Sequence, residues 1–402
     1  MFSHSKRGHN PLVNESEALK KHYEWNGKIE VISRVKIETK ADLALAYTPG
    51  VADACLKIAD EPNEAYRLTR KNNLVAVITN GTAVLGLGNI GPQAAMPVME
   101  GKCILFKEFA DIDGFPISIE ATDVDTVVDT IKQIAGSFGA INLEDIAAPE
   151  CFEIERRLIE ELDIPVFHDD QHGTAIVVGA AIINSLKLQK KKIADVQFVV
   201  NGAGAAGISI AKHLTHLGAE HITLVDREGI IHSKYPNLSG EQERMLEITN
   251  LEDKSGTLQD ALTGADIFIG VSAPNILSGD DIRLMNENPI VFAMANPIPE
   301  ILPDVAKEAG VSIMGTGRSD FPNQINNVSA FPGIFKGALA ANATTINEEM
   351  RTAASYAIAS LIDESDLTED YIIPDPLDNR VVPAVAKAVE DAAIKTGVIR
   401  KM

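Results

Sequence analysis

Residues 199–218, "VVNGAGAAGISIAKHLTHLG", constrain the fold of this chain more than any other stretch. Three glycines, Gly202, Gly204 and Gly207, follow a strand-like apolar run and open a helical segment. The first allows a tight turn, the second lets backbone approach a pyrophosphate, and the third lets helix and strand pack closely. The segment Gly202, Ala203, Gly204, Ala205, Ala206 and Gly207 would then present phosphates to a helix N-terminus. A bare G-x-G-x-x-G also marks a merely tight turn. Here Asp226 ends the next strand-like run, 24 residues beyond Gly202, where an acid accepts from adenosine ribose hydroxyls. That carboxylate would repel a 2′-phosphate and so favours NAD over NADP. Arg227 beside it can receive such a phosphate, so NADP stays open.

The apolar runs around this fingerprint are regular. Residues 196–200, 221–225, 266–271, 290–295 and 311–315 read as strands separated by helix-length segments. Each is followed by a small or polar residue: Gly202, Asp226, Ser272, Asn296 and Gly317. This is the pattern of a parallel sheet whose strand C-termini build a site. Before residue 168, runs at 72–81 and 115–121 read as strands, and Asp123 caps a helix with Val124, Val127, Val128, Ile131 and Ile134 on one face. After Gly173 one helix is expected to about Leu188. From Phe331 onward the chain reads as two long helical segments.

The fold class is therefore α/β. An N-terminal α/β unit (1–168) precedes a Rossmann-type, doubly wound dinucleotide-binding domain (169–330), and C-terminal helices (331–402) return to the first unit. A chain of 402 residues fits two or three such units. The net charge of −21 argues against nucleic acid, whose phosphates need clustered Lys and Arg. Three scattered cysteines suggest neither a disulfide framework nor a zinc knuckle, which suits a reducing cytoplasm. The opening decapeptide "MFSHSKRGHN" lacks the apolar core of a secretory signal, and no apolar run is long enough for a membrane span.

Two acid pairs stand out. Glu144-Asp145 and Asp169-Asp170 each follow an apolar run and lie 25 residues apart, the length of one strand–helix–strand unit. Single acids at strand ends commonly cap helices. Two pairs set side by side would repel unless a cation intervened, and oxygen ligands suit Mg²⁺ or Mn²⁺. His168 and His172 share the i, i+4 spacing of a zinc motif. Asp follows the first histidine rather than Glu, and the segment reads as a strand-to-helix turn, so local hydrogen bonding is the better reading.

Lys102 reads as lying between a short helix and a strand, where lysines usually snorkel. Buried near a metal, its pKa would fall and it would serve as a base. Tyr47 precedes a Thr-Pro-Gly turn and by itself suggests a packed aromatic. A second glycine series, Gly86, Gly88 and Gly91, lacks a regular strand–helix–strand sequel and reads as a structural turn beneath a site.

Together these motifs resemble the malic enzyme family in its short bacterial, NAD(P)-dependent decarboxylating form. The resemblance is carried by "AYTPGVA", "TNGTAVLGLGNIG", "MEGKCILFK", "NLEDI", "FHDDQHGTA", "VNGAGAAG", "AMANPIPE" and "NQINNVSAFPG", in the family's order. It implies oxidation of malate to pyruvate and CO₂. It implies Glu144, Asp145 and Asp170 as ligands of Mn²⁺ or Mg²⁺, Lys102 as general base, Tyr47 as general acid, and Asp169 in the catalytic set. Asn296 and Asn327 would touch substrate, Asn296 near the cofactor as well. A homodimer is expected, in which the segment before Tyr47 crosses to the partner and delivers Tyr47 to its site.

One departure is clear. Longer relatives place a carboxylate-binding arginine where this chain has Ala83, and Arg318 and Arg70 are the candidates to replace it. Two other functions remain on the same scaffold: a soluble oxaloacetate decarboxylase, which would need no nucleotide, and a non-catalytic nucleotide sensor.

Overall fold

The computed structural model describes residues 16–84 and 86–401. The decapeptide read above as lacking a signal lies outside the described residues. Helices α1 (Glu17–Trp25), α2 (Lys40–Ala46), α3 (Val51–Asp60) and the single turn α4 (Ala65–Leu68) come first. No residue of α1, α2 or α3 is buried.

The first sheet contains β1 (Leu74–Thr79), β2 (Asp113–Ser118), β3 (Ala140–Leu143) and β4 (Val166–His168), all parallel, in the order β2-β1-β3-β4. Val75, Ala76, Val77 and Ile78 are fully buried, as expected of a parallel strand covered on both faces. Helices α5 (Pro92–Ala110), α6 (Val124–Ile134) and α7 (Glu150–Glu161) connect the strands. Asp123 does cap α6, accepting from Thr126 N at 2.9 Å.

Helix α5 departs from the sequence reading. It is one 19-residue helix with Pro97 inside it, and Lys102 sits in its interior rather than between a helix and a strand. Its inner face, Ala95, Met99, Lys102, Cys103 and Phe106, is buried at helical spacing, so packing overrides the helix-breaking proline.

Helix α8 (Asp169–Gln189) leads to the second sheet. It begins at Asp169, not after Gly173. A Cβ at Gly173 would come within 1.9 Å of Asp169 Oδ1, so glycine here makes room for that carboxylate inside the helix. The second sheet contains β5 (Gln197–Asn201), β6 (His221–Asp226), β7 (Gly229–Ile230), β8 (Ile267–Gly270), β9 (Ile290–Ala293) and β10 (Ile313–Thr316). Helix α9 (Ala205–His216) follows the glycine loop. The short helices α10 (Gly240–Met245), α11 (Leu258–Leu262), α12 (Gly279–Ile282) and α13 (Pro303–Glu308) join later strands.

The order is β10-β9-β8-β5-β6-β7, parallel except for the two-residue β7. Chain order reverses between β5 and β8, and a doubly wound sheet opens its ligand crevice at that point.

The C-terminal run breaks into α14 (Phe331–Ala340), α15 (Glu348–Ala359) and α16 (Val381–Thr396). Asn347 ends the continuous helix expected from sequence by capping α15, accepting from Met350 N at 3.1 Å. Helix α14 meets the first unit through Phe331 and Phe335, whose rings lie 4.8 and 5.1 Å from that of Phe106. Helix α15 packs against α8 and α9.

Candidate active site

Strands β3 and β4 are neighbours with Leu143 opposite His168, so the two acid pairs leave the sheet side by side. Glu144, Asp145 and Asp170 each present an oxygen, and the three lie within 4.8 Å of one another. Asp145 takes a left-handed backbone conformation, φ 55°, and its N–H donates to Asp170 Oδ2 at 2.8 Å. Lys102 reaches them from α5. Its Nζ lies 2.6 Å from Asp169 Oδ2 and 2.9 Å from Glu144 Oε1, and 4.4 Å from the centre of the Phe331 ring. Asn327 Nδ2 also donates to Asp169 Oδ2, at 2.5 Å. Asp169 is fully buried and Lys102 is 7% exposed.

Burial would lower the Lys102 pKa, but the surrounding charges of Asp169, Glu144 and Asp170 act against it and raise the pKa above the ordinary lysine value. These carboxylates favour the ammonium form of Lys102. Burial pushes Asp169 up to about 7 and Asp170 up to about 6, in both cases against the pull of Lys102, and raises Glu144 as well. One lysine does not balance this much buried negative charge. The donor set is oxygen-only and convergent, so Glu144, Asp145 and Asp170 fit a hard divalent cation.

A cavity of about 670 Å³ opens above the acids, lined by Lys102, Glu144, Asp145, Asp170, Asn296 and Asn327 among others. Ala206, Val271 and Ser272 of the second unit close its far side. Val271 and Ser272 also line a second cavity of about 980 Å³, which holds Gly202, Ala203, Gly204, Asp226 and Arg227. The two cavities therefore meet at the crevice of the second sheet. Gly202 has φ +110°, and a Cβ on Gly207 would come within 1.8 Å of Gly202 O, so the turn and the close packing both need glycine. Asn201 Nδ2 donates to Ser272 Oγ at 2.6 Å across the chain reversal. Of the second glycine series, Gly86 lies in the first cavity, and a Cβ there would approach Asn296 O to 3.1 Å.

Several expected residues stand elsewhere. Tyr47 caps the end of α2, is 67% exposed, and does not line either cavity. Arg70 pairs with Asp113 at the start of β2, the opposite end of the sheet from the acids. Arg318 is held by Asp320 at 2.6 Å and donates to Pro297 O at 3.0 Å. Arg70 is therefore not placed to replace the arginine missing at Ala83, while Arg318 lies beside Gly317, a residue of the first cavity, without lining it itself. His172 bonds Glu155 at 2.9 Å, and neither His168 nor His172 joins the convergent acid group.

Comparison with known proteins matches this arrangement. The family model for the malic enzyme N-terminal domain covers residues 26–159, and that for the malic enzyme NAD-binding domain covers residues 171–394. This chain belongs to the malic enzyme family. It is 55% identical to the bifunctional malic/malolactic enzyme of Bacillus subtilis, across 96% of this chain and 94% of that one. It is 55% identical to the NAD-dependent malic enzyme of Geobacillus stearothermophilus, across 93% and 78%. The crystal structure of malic enzyme from Pyrococcus horikoshii superposes with a TM-score of 0.92 at 46% identity, covering 96% and 92%.

Within this malic enzyme fold, two supporting residues escaped the sequence reading. Gln242 Nε2 donates to Ala203 O at 3.1 Å and to Asp226 Oδ2 at 3.3 Å, so it joins the glycine loop to the acid. Glu300 is fully buried and accepts from Ser272 N and Ala295 N, both at 3.0 Å, which ties the ends of β8 and β9 together. Glu300 lies in the "AMANPIPE" motif; the local signal at Gln242 is a capping box with Ser239, which starts α10 and does not point to the glycine loop. Among the described residues, no helix is long and apolar enough to cross a membrane.

Proposed function

We propose that this malic enzyme family member oxidises malate and decarboxylates it to pyruvate and CO₂, reducing NAD(P). The observation that carries the reading is the contact of Lys102 with Asp169 and Glu144 in a cavity that shares Val271 and Ser272 with the glycine-loop cavity.

Glu144, Asp145 and Asp170 would hold Mn²⁺ or Mg²⁺, their oxygens lying within 4.8 Å of one another. The cation would supply Lewis acidity to oxygens that gain negative charge. The Gly202–Gly207 loop holds the NAD(P) pyrophosphate and Asp226 the adenosine ribose. The nicotinamide supplies the hydride acceptor. Asp226, held by Gln242, favours NAD.

Lys102 takes the C2 hydroxyl proton of malate. For that it must be neutral, a state that a cation held by Glu144 and Asp170 would favour by placing positive charge beside Nζ. Asp169 keeps Nζ aimed, and Asn327 donates to the same Asp169 oxygen, Oδ2. Asn296 and Asn327 line the cavity where the substrate carboxylates lie. Tyr47 returns a proton to C3 after CO₂ leaves.

Tyr47 supports a homodimer. It is exposed, and Val31, Ile32, Leu45 and Leu56 near it in sequence are 70–84% exposed, an apolar surface that water does not favour. A second copy covering this surface brings Tyr47 to the partner's cavity. The enzyme so described works in the cytoplasm.

The test is Lys102→Ala. Malate oxidation should be lost while NAD binding persists. A kcat comparable to that of the unaltered enzyme would overturn the base assignment.

A further inference from the structure

Glu155 of α7 is 6% exposed and lies outside both cavities. Its carboxylate is nonetheless spent on the helix that carries Asp169 and Asp170. Oε1 accepts from His168 N at 2.8 Å, the residue just before the acid pair. Oε2 meets His172 Nε2 at 2.9 Å, two residues after the pair. One carboxylate therefore grips the first turn of α8 on both sides of Asp169-Asp170.

The first N–H groups of a helix have no intrahelical partner, and here a carboxylate from another helix satisfies the one at the entry. This is also a difficult start for a helix. His168 gives it no side-chain cap, Gly173 lies in its second turn, and two carboxylates open it next to Glu144. First-turn acids suit the helix dipole, but holding Asp170 close to Glu144 and Asp145 depends on where the backbone of this turn is fixed.

The grip continues into the second unit. Arg351 Nη1 of α15 faces the His172 ring at 3.2 Å, and Arg351 pairs with Glu348 at 2.7 Å. Glu348 meets His213 of α9 at 2.9 Å. The anchor is thus fastened to the helix that follows the nucleotide loop.

We infer that Glu155 is a positioning residue for the metal-binding carboxylates, with His172 as the second point of its grip. It touches neither substrate nor cofactor. It fixes the first turn of α8 so that Asp170 meets Glu144 and Asp145 while Asp169 meets Lys102. This inference rests on the reading of Glu144, Asp145 and Asp170 as a cation site.

The test measures Mn²⁺ binding by the electron paramagnetic resonance of free Mn²⁺, with no turnover involved. Glu155→Ala should weaken Mn²⁺ binding about 10–100-fold, the usual cost of losing a group that orients ligands. Its NAD dissociation constant should stay unchanged. Glu155→Gln should restore only part of the affinity, because its carbonyl can still accept from His168 N while its amide is a donor facing His172, whose acceptor nitrogen Arg351 already occupies. His172→Ala should weaken Mn²⁺ binding in the same direction and decides the matter if Glu155→Ala does not fold. Asp170→Asn is the control. If Asp170→Asn loses Mn²⁺ while Glu155→Ala and His172→Ala bind it normally, the positioning role is overturned. If Asp170→Asn also binds Mn²⁺ normally, the cation site itself is wrong and the inference falls with it. Equal loss of Mn²⁺ and NAD binding in Glu155→Ala would show general damage and overturn it too.

Discussion

Lys102 Nζ and Asp169 Oδ2 lie 2.6 Å apart, both buried, one from the interior of α5 and the other from the first residue of α8. The pair joins the helix between β1 and β2 to the helix that leads from β4 to the second sheet. In the proposed function Asp169 aims the lysine, which Glu144 also contacts at 2.9 Å. Asp169→Asn keeps the shape and removes the charge. It should lower kcat by about 10²–10⁴, the range for losing a positioned acid–base group. NAD affinity, read by fluorescence titration, should persist. An unchanged kcat would remove Asp169 from the catalytic set.

Metal dependence follows from the buried surplus of carboxylates. A chelator should abolish malate oxidation, and either Mn²⁺ or Mg²⁺ should restore it. NAD should bind the chelated enzyme, since the glycine loop and Asp226 line a separate cavity. Full activity after exhaustive chelation would sink the role of Glu144, Asp145 and Asp170.

Exchange of Tyr47 between subunits has a direct test. Lys102→Ala and Tyr47→Phe homodimers should each be inactive. Mixed and allowed to exchange subunits, they should regain activity, because one site of the heterodimer then has both groups intact. If Tyr47 serves its own chain, mixing restores nothing.

Cofactor choice should depend on Asp226 and on the residue that holds it. Asp226→Ala should raise the KM for NAD about tenfold, which corresponds to roughly 1.4 kcal/mol and to one charge-assisted hydrogen bond. The KM for NADP should stay level or fall. Gln242→Leu should shift both in the same directions by less. Initial rates with each nucleotide, in Mn²⁺, are the measurement. A rise in KM for both nucleotides alike would assign Asp226 to loop structure instead.

Acid stability should depend on Glu348. Burial alone would raise its pKa, but the His213 hydrogen bond and the Arg351 charge hold it down at about 2, against 4.5 ordinarily. Burial keeps His213 below its usual histidine range, so at neutral pH the hydrogen bond and Arg351 do this work rather than a histidine charge. A folded-state pKa below the unfolded value means stability that is fully present above 4.5 and lost as pH falls toward about 2. Glu348→Gln should therefore cost on the order of 2 kcal/mol at pH 7, with the gap to the unaltered protein closing below pH 4.5. Urea unfolding at pH 7, 5 and 3 measures it. A gap independent of pH would show that shape, not charge, matters at this position.

Much of the site was legible because its chemistry is local. Gly202, Gly204 and Gly207 announce a strand–turn–helix that approaches phosphate, and Asp226 sits at the end of the next strand. The spacing of Glu144-Asp145 from Asp169-Asp170 matches one strand–helix–strand unit, and β3 and β4 are in fact neighbours. Lys102 was misplaced because Pro97 reads as a helix breaker, while burial of Met99, Cys103 and Phe106 carries α5 straight through it. The start of α8 was misread for a similar reason. Gly173 looks like a boundary until Asp169 Oδ1 is seen to occupy its missing Cβ.

The sequence by itself determined the two kinds of site, a dinucleotide loop and a cluster of acids, because short stretches specify strand ends and turns. Only the tertiary structure decided how they act together. It set Lys102 among three carboxylates that favour its ammonium form, left Tyr47 exposed, and spent Arg70 and Arg318 on other acids. It also brought Glu155, Gln242 and Glu300 to residues far from them in sequence. The physical reason is that charge and burial depend on what lies within a few ångströms in space, and no spacing along the chain records that.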